Sequence, residues 1–390
     1  MTEIQELKKE FAKVYGKGAD PRIFFAPGRV NLIGEHTDYN GGHVFPCALD
    51  IGTTALARKR GDKTLRFYSA NFPGEGIIEA ELDGLAFRKE DDWANYPKGV
   101  AHIFRQKGFD IDSGLDVLYF GNIPNGAGLS SSASIELATA VLLNECFGFA
   151  IEQVELVKMS QKAENEFVGV NCGIMDQFAC GMGKEGHAVL LDCQTLKYEY
   201  SPLDLTDRVL VIANTNKRRG LADSKYNERR SECERALAQL QTRLDISSLG
   251  ELSIGEFEAN KHLIDNVIDR KRAKHAVYEN QRTLSAVKEL KAGNVEAFGK
   301  LMNESHISLR DDYEVTGREL DALVEAAWEE GAVGSRMTGA GFGGCTINLV
   351  EKETLDEFIK KTGERYEAAT GLKADFYVVG IGEGARELFV

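Results

Sequence analysis

The chain has 390 residues, beyond the size at which one hydrophobic core usually stops growing, and its 43% apolar and 28% charged residues are those of an ordinary globular protein, so two domains are expected. A formal net charge of −14 argues against broad binding to nucleic acid or to acidic membranes, which both need a positive face. The polar start Met1-Thr2-Glu3-Ile4-Gln5-Glu6, and no stretch near the ~20 apolar residues of a bilayer span, predict a cytoplasmic protein.

Residues 1–18 read as an amphipathic helix, with Ile4, Leu7, Phe11 and Val14 at helical spacing and Gly16 and Gly18 ending it. Short strand-like segments at 23–26, 53–58, 64–69 and 115–120, separated by glycine or acidic turns, predict a β-rich first half. Helical periodicity then predicts helices over 130–147 and 151–167, followed by the glycine-rich stretch 168–173. Strands are expected at 187–192 and 209–214, helical text over 224–331, and strands at 345–350 and 374–379 on either side of a helix over 355–369. This pattern predicts two mixed domains, with the boundary between Asp192 and Leu210 and the division taken as 1–200 and 201–390. The seven cysteines are scattered, odd in number and never in a C-x-x-C pair, which predicts buried, reduced thiols rather than disulfides or zinc.

Three glycine-rich constellations carry the chemistry. The first, Gly28-Arg29-Val30-Asn31-Leu32-Ile33-Gly34-Glu35-His36-Thr37-Asp38-Tyr39, sets one guanidinium, two carboxylates and one imidazole among glycines. Carboxylates are strong acceptors for the hydroxyls of a sugar, and the interleaved Val30, Leu32 and Ile33 would draw the segment against a core instead of leaving it a solvated acidic loop. The second, Pro124-Asn125-Gly126-Ala127-Gly128-Leu129-Ser130-Ser131-Ser132-Ala133, opens a helix, so backbone N–H groups and the helix start offer a phosphate site. Glycine and serine also serve simply as helix caps. The Walker pattern G-x-x-x-x-G-K-[ST] is absent, which disfavours a P-loop kinase.

In the third, Arg336-Met337-Thr338-Gly339-Ala340-Gly341-Phe342-Gly343-Gly344-Cys345, the glycines match G-x-G-x-x-G, yet a strand follows rather than a helix. A tight loop touching the active site, or a plain glycine-rich hairpin, fits this context. Between the second and third lies Gly173-Ile174-Met175-Asp176-Gln177, with Glu164 upstream. In such apolar text a carboxylate needs a partner, and a structural acidic residue is the bland reading of Asp176.

Along nearly the whole length these residues resemble the galactokinases, members of the GHMP small-molecule kinase superfamily. The resemblance implies an α+β fold of two domains, the first like ribosomal protein S5 domain 2 and the second ferredoxin-like, with the active site in the cleft between them. It further implies ATP-dependent phosphorylation of the anomeric hydroxyl of galactose, the first committed step of galactose catabolism, with Mg2+. By that resemblance Asp176 is the catalytic carboxylate and Arg29 its partner. Glu35, His36, Thr37, Asp38, Gly173 and Tyr226 fall at sugar-binding positions. Ser69, Gly126, Ala127, Gly128, Leu129, Ser130, Ser131 and Ser132 fall at nucleotide positions, with Ser132 and Glu164 as magnesium ligands. A monomer acting on galactose and ATP is expected. The alternatives are a sister kinase for N-acetylgalactosamine or arabinose and a silent galactose- and ATP-binding sensor; certain sensors lack residues where Ser132-Ala133 stand here.

Overall fold

The apolar stripe at the start of the chain becomes α1, Glu3–Tyr15, whose Leu7, Phe11 and Tyr15 bury against Ile23, Leu56 and Leu118. The computed structural model describes residues 3–124, 127–205, 207–217 and 222–389. After α1 come β1 (Arg22–Asn31), β2 (His43–Val44), β3 (Pro46–Lys59), β4 (Thr64–Ser69), β5 (Ile78–Glu81), α2 (Asn95–Gln106) and β6 (Leu115–Gly121). Then follow α3 (Ser131–Phe147), α4 (Gln153–Lys162), α5 (Met175–Met182), β7 (His187–Asp192) and β8 (Tyr198–Pro202). The second half holds β9 (Arg208–Asn214), α6 (Ala222–Leu240), α7 (Ile254–Asn260), α8 (Val267–Lys291), α9 (Val295–Ser308) and α10 (Gly317–Glu329). It ends with β10 (Gly334–Thr338), β11 (Cys345–Glu351), α11 (Leu355–Thr370), β12 (Asp375–Val379) and β13 (Arg386–Leu388).

A six-stranded sheet runs in the order β13-β1-β3-β6-β4-β5, with β4 and β6 parallel, so the last strand of the chain returns to the first sheet. Helices α2 to α5 supply Val100, Leu137, Leu156 and Phe178 to the core over Phe24, Ala55 and Val117 of that sheet. The second sheet, β10-β11-β9-β12, is antiparallel. Its period-two alternation sends Leu210 and Ile212 toward Phe298 and Met302 of α9, and Val211 toward Ala327 of α10 and Phe358 of α11. A third, small sheet pairs β2, β7 and β8.

One apolar cluster joins the halves: Val30, Leu32, Ile33 and Phe45 pack with Ile212, Ile347 and Leu349. The apolar residues of the first motif, expected only to lie against a core, are thus the seam between the two domains. Among the described residues no helix is long and apolar enough to cross a membrane.

Several elements differ from the sequence reading. Strand β1 does not end at Ala26 but runs through Pro27 and Gly28 to Asn31, with a register shift between Pro27 and Arg29. Strand β3 is correspondingly longer, Pro46–Lys59. Helices α2 and α5 were not expected: Pro97 sits in the first turn of α2, where a missing N–H costs nothing, and α5 is only 8 residues long. The helix expected over 151–167 stops at Lys162 and continues as a π-helical turn, Ala163–Val168, which carries Glu164.

Candidate active site

The irregularity in β1 aims Arg29 at two other segments. Its backbone N–H donates to Leu129 O at 3.1 Å and its guanidinium to Gly128 O at 2.8 Å. The Nε and a terminal nitrogen both lie 2.8 Å from Asp176 Oδ1. The other oxygen, Asp176 Oδ2, accepts from Ser130 Oγ at 2.6 Å. Ser130 holds a left-handed backbone, φ 61°, immediately before α3, and Asp176 sits in the first turn of α5. Sheet, loop and two helix starts therefore converge on one carboxylate. Arg29 is buried and Asp176 is 28% exposed, so the carboxylate is the member of the pair that a ligand can reach. Burial opposes charge on Arg29, but Asp176 and then Glu35 outweigh it and hold the guanidinium above its ordinary pKa.

These groups line a cavity of about 480 Å³ between the domains. Gly128 to Ser132 form one wall and Glu35, His36, Asp38, Gly173 and Tyr226 another, with Glu164 and Asp176 between. The third motif is a hairpin loop between β10 and β11 and also reaches the site, through Gly339 and Ala340. Gly339 has φ +87°, and a Cβ there would stand 3.1 Å from Gly128 O, which is why a glycine stands at 339.

The four carboxyl groups of the cavity are in different states. Glu35 is buried and already satisfied: Asn31 Nδ2 donates to one oxygen at 3.0 Å, and Gly339 N at 2.7 Å and Thr338 Oγ1 at 3.1 Å donate to the other. The buried Arg336 guanidinium lies 3.3 Å from that second oxygen. Glu35 therefore ties the first motif to the third. Asp38 faces Gly173 so closely that a Cβ at 173 would fall 1.8 Å from its Oδ2. Burial, and then the charge of Asp176, push the Asp38 carboxyl up to about 7. The same two causes push Glu164 up to about 7, against hydrogen bonds from Cys172 and Ser132.

His36 is buried among aromatic rings, with Tyr313, Tyr226 and Tyr39 at 4.8, 5.7 and 5.8 Å, and its Nδ1 lies 2.7 Å from Tyr39 Oη. Burial, and then the neighbouring His275, hold it neutral, down to about 3.

Three expected positions stand apart from this cavity and one lies outside the described residues. Thr37 donates its hydroxyl to the carbonyls of Gly34 and His43, at 2.8 and 2.7 Å, and is not on the wall. Ser69 ends β4, buried, and Ala127 packs into the apolar cluster between the domains. Gly126 is outside the described residues. Conversely, Tyr96 of the unexpected helix α2 lines the cavity, as do Cys172 and Asn227. Cys172 and Asn227 neighbour the expected Gly173 and Tyr226 in sequence, and that adjacency was the available signal; Tyr96 had none.

Three family models match the chain. They are a galactokinase galactose-binding signature over residues 9–59, the GHMP kinases N-terminal domain over 95–184 and the GHMP kinases C-terminal domain over 286–368. A galactokinase of Bacillus subtilis is 60% identical over 385 residues, covering 98% of this chain and 99% of that protein. One of Fusobacterium nucleatum is 61% identical over 387 residues, covering 99% and 100%. The crystal structure of Lactococcus lactis galactokinase complexed with galactose superposes with a TM-score of 0.97 at 52% identity, over 99% of this chain and 100% of that one. Methanococcus jannaschii mevalonate kinase, with a TM-score of 0.66 at 19% identity over 94% and 100%, shares the fold alone. With relatives this similar along its full length, the chain belongs to the galactokinase family of the GHMP kinases.

Proposed function

We propose that the chain transfers the γ-phosphoryl group of ATP to the anomeric hydroxyl of α-D-galactose, giving galactose 1-phosphate and ADP. The observation that carries this reading is Asp176, held between Arg29 and Ser130 where a glycine-serine loop becomes α3. Phosphoryl transfer has a loose transition state, so positioning and charge neutralisation matter more than covalent chemistry. The open amides of the loop and the start of α3 take the phosphates. Each carboxylate oxygen has two acceptor directions, so Asp176 still accepts from the sugar hydroxyl after pairing with Arg29 and Ser130. Arg29 fixes the orientation of that carboxylate and offsets charge on the moving phosphoryl group.

On the sugar wall, Asp38 is the carboxyl whose protein partners leave it available, and together with His36 and Tyr226 it would accept and shape the galactose hydroxyls. A site built to pair a hydroxyl rejects the epimer that leaves it unpaired. Glu35 acts here mainly by holding Gly339.

The cavity's charge supports a cation. Four carboxyl groups face a single Arg or Lys among the described lining residues, and a triphosphate adds negative charge. Ser132 and Glu164, hydrogen-bonded to each other, are hard oxygen donors of the kind Mg2+ takes. Phosphate and water would complete the ion's coordination. When bound, Mg2+ supplies charge neutralisation at the phosphate oxygens. A monomer in a setting that supplies ATP completes the reading.

The test is ADP release with ATP and Mg2+ across galactose, glucose, N-acetylgalactosamine and arabinose. Galactose should lead. A different sugar leading, or no turnover with any, overturns the reading.

A further inference from the structure

Behind the cavity wall lies a buried amide between two carboxyl groups. Gln177 follows Asp176 on α5 but turns away from the cavity, fully buried. Its Nε2 lies 2.5 Å from Glu164 Oε2 and 3.0 Å from Glu136 Oε2. An amide nitrogen has two hydrogens, one for each of these oxygens, and Cys172 Sγ lies farther off at 3.8 Å. Glu136 is fully buried and stands on α3 four residues after Ser132, one turn along the same face. The Oε1 atoms of Gln177 and of Glu136 have no hydrogen-bond partner, so this amide is not placed to satisfy itself. A buried unpaired acceptor costs stability. What the placement achieves is a fixed donor at Glu164, on whose Oε2 the Cys172 thiol also bears at 3.5 Å.

We infer that Gln177, anchored by Glu136, is a positioning residue that fixes the rotation of the Glu164 carboxyl toward the nucleotide-bound cation. The inference rests on the reading of Glu164 and Ser132 as the cation's ligands. The chain of contacts is short: Ser132 and Glu136 ride on α3, Gln177 and Asp176 on α5, and Glu164 on the π-helical turn between α4 and α5. One amide thereby couples the cation side of the site to the helix that bears the catalytic carboxylate.

Outer-shell partners of this kind change metal affinity by roughly 10- to 100-fold when removed. The experiment is Mn2+ binding, read by electron paramagnetic resonance, to the full chain with a non-hydrolysable ATP analogue, in wild type and in Gln177→Met, which keeps volume and removes the donors. The variant should bind Mn2+ about 10-fold more weakly. Its Mg2+ requirement for turnover should rise in step, with galactose affinity unchanged, a split that a general packing defect would not give. If Gln177→Met lacks a cooperative melt, Gln177→Asn, which withdraws the amide by one methylene, takes its place with the same expectation. Mn2+ affinity within 2-fold of wild type in the folded variant overturns the inference. Wild-type protein that turns over no galactose sinks the functional reading itself and is a separate result.

Discussion

Replacing Asp176 by Asn keeps the shape and removes the charge and one acceptor, and the geometry dictates how the amide must sit. Arg29 presents only donors, two of them 2.8 Å from Oδ1, so the Asn carbonyl oxygen must face Arg29. Its NH2 then replaces Oδ2, turning toward Ser130 and toward the hydroxyl that needs an acceptor. The opposite rotamer sets NH2 against a buried guanidinium. A positioned proton acceptor contributes about 10²- to 10⁴-fold, and at about 1.4 kcal/mol per decade its loss raises the barrier by roughly 3 to 6 kcal/mol. Stability should fall as well, because Arg29 loses its largest countercharge and keeps the smaller one of Glu35. Breaking a wholly buried pair costs about 3–5 kcal/mol, and with Asp176 28% exposed about 1–3 is expected. Turnover is measured by ADP release at saturating galactose and ATP, with a melting curve to show that the variant is folded. Folded Asp176→Asn with turnover within ten-fold of wild type would refute the assignment of the proton acceptor.

The remaining predictions concern the sugar wall. Gly173→Ala puts a methyl where Asp38 Oδ2 now lies, so the carboxyl must move. The galactose KM should rise about 10-fold, the size of one disturbed polar contact, with a smaller change in kcat, and a KM within 2-fold would show that Asp38 does not touch the sugar. Asp38 also predicts a pH dependence. Its carboxyl is held up to about 7, so the free site is mostly protonated at pH 6 and mostly ionised at pH 8. Accepting from sugar hydroxyls with both oxygens needs the ionised form, so galactose affinity should increase by up to about 10-fold from pH 6 to pH 8. In the free protein the sign reverses: a raised carboxyl pKa contributes stability that is present at low pH and is lost as pH rises through about 7. Binding titrations at both pH values, repeated on Asp38→Asn, check this, and a slope that survives in Asp38→Asn assigns it to another group.

The legible part of the site was the part written in consecutive residues. The alternation of Val30, Leu32 and Ile33 with polar groups foretold a segment held against a core, and all three are fully buried. The Gly-Ser run foretold the start of α3, and the strand at 64–69 is β4 to the residue. Where local signals misled, tertiary contact outvoted them. Pro27-Gly28 reads as a turn, yet β3 pairs through it, and a Cβ at Gly28 would come 2.8 Å from Leu129 O. Helix α2 begins with Pro97 and Gly99, poor interior residues that the core accepts because Val100, Ile103 and Phe104 bury beside them. The condition of Glu35 was invisible for another reason. Its donors Thr338 and Gly339 lie about 300 positions away, and nothing in either segment announces the other. The link between Gln177 and Glu136 likewise spans 41 residues.

The apolar seam through Val30, Leu32 and Ile33 bears on how ligands come and go. Swinging the two domains apart as rigid jaws would strip water-free contacts from Phe45, Ile212 and Ile347, at roughly 25 cal/mol for each Å² bared. Traffic into the cleft then falls to lining segments outside that seam, such as Gly169 to Gly173 and Tyr226. Such a protein resembles a fixed mould more than a closing hand: most of the ordering that catalysis needs is completed during folding, before any sugar arrives.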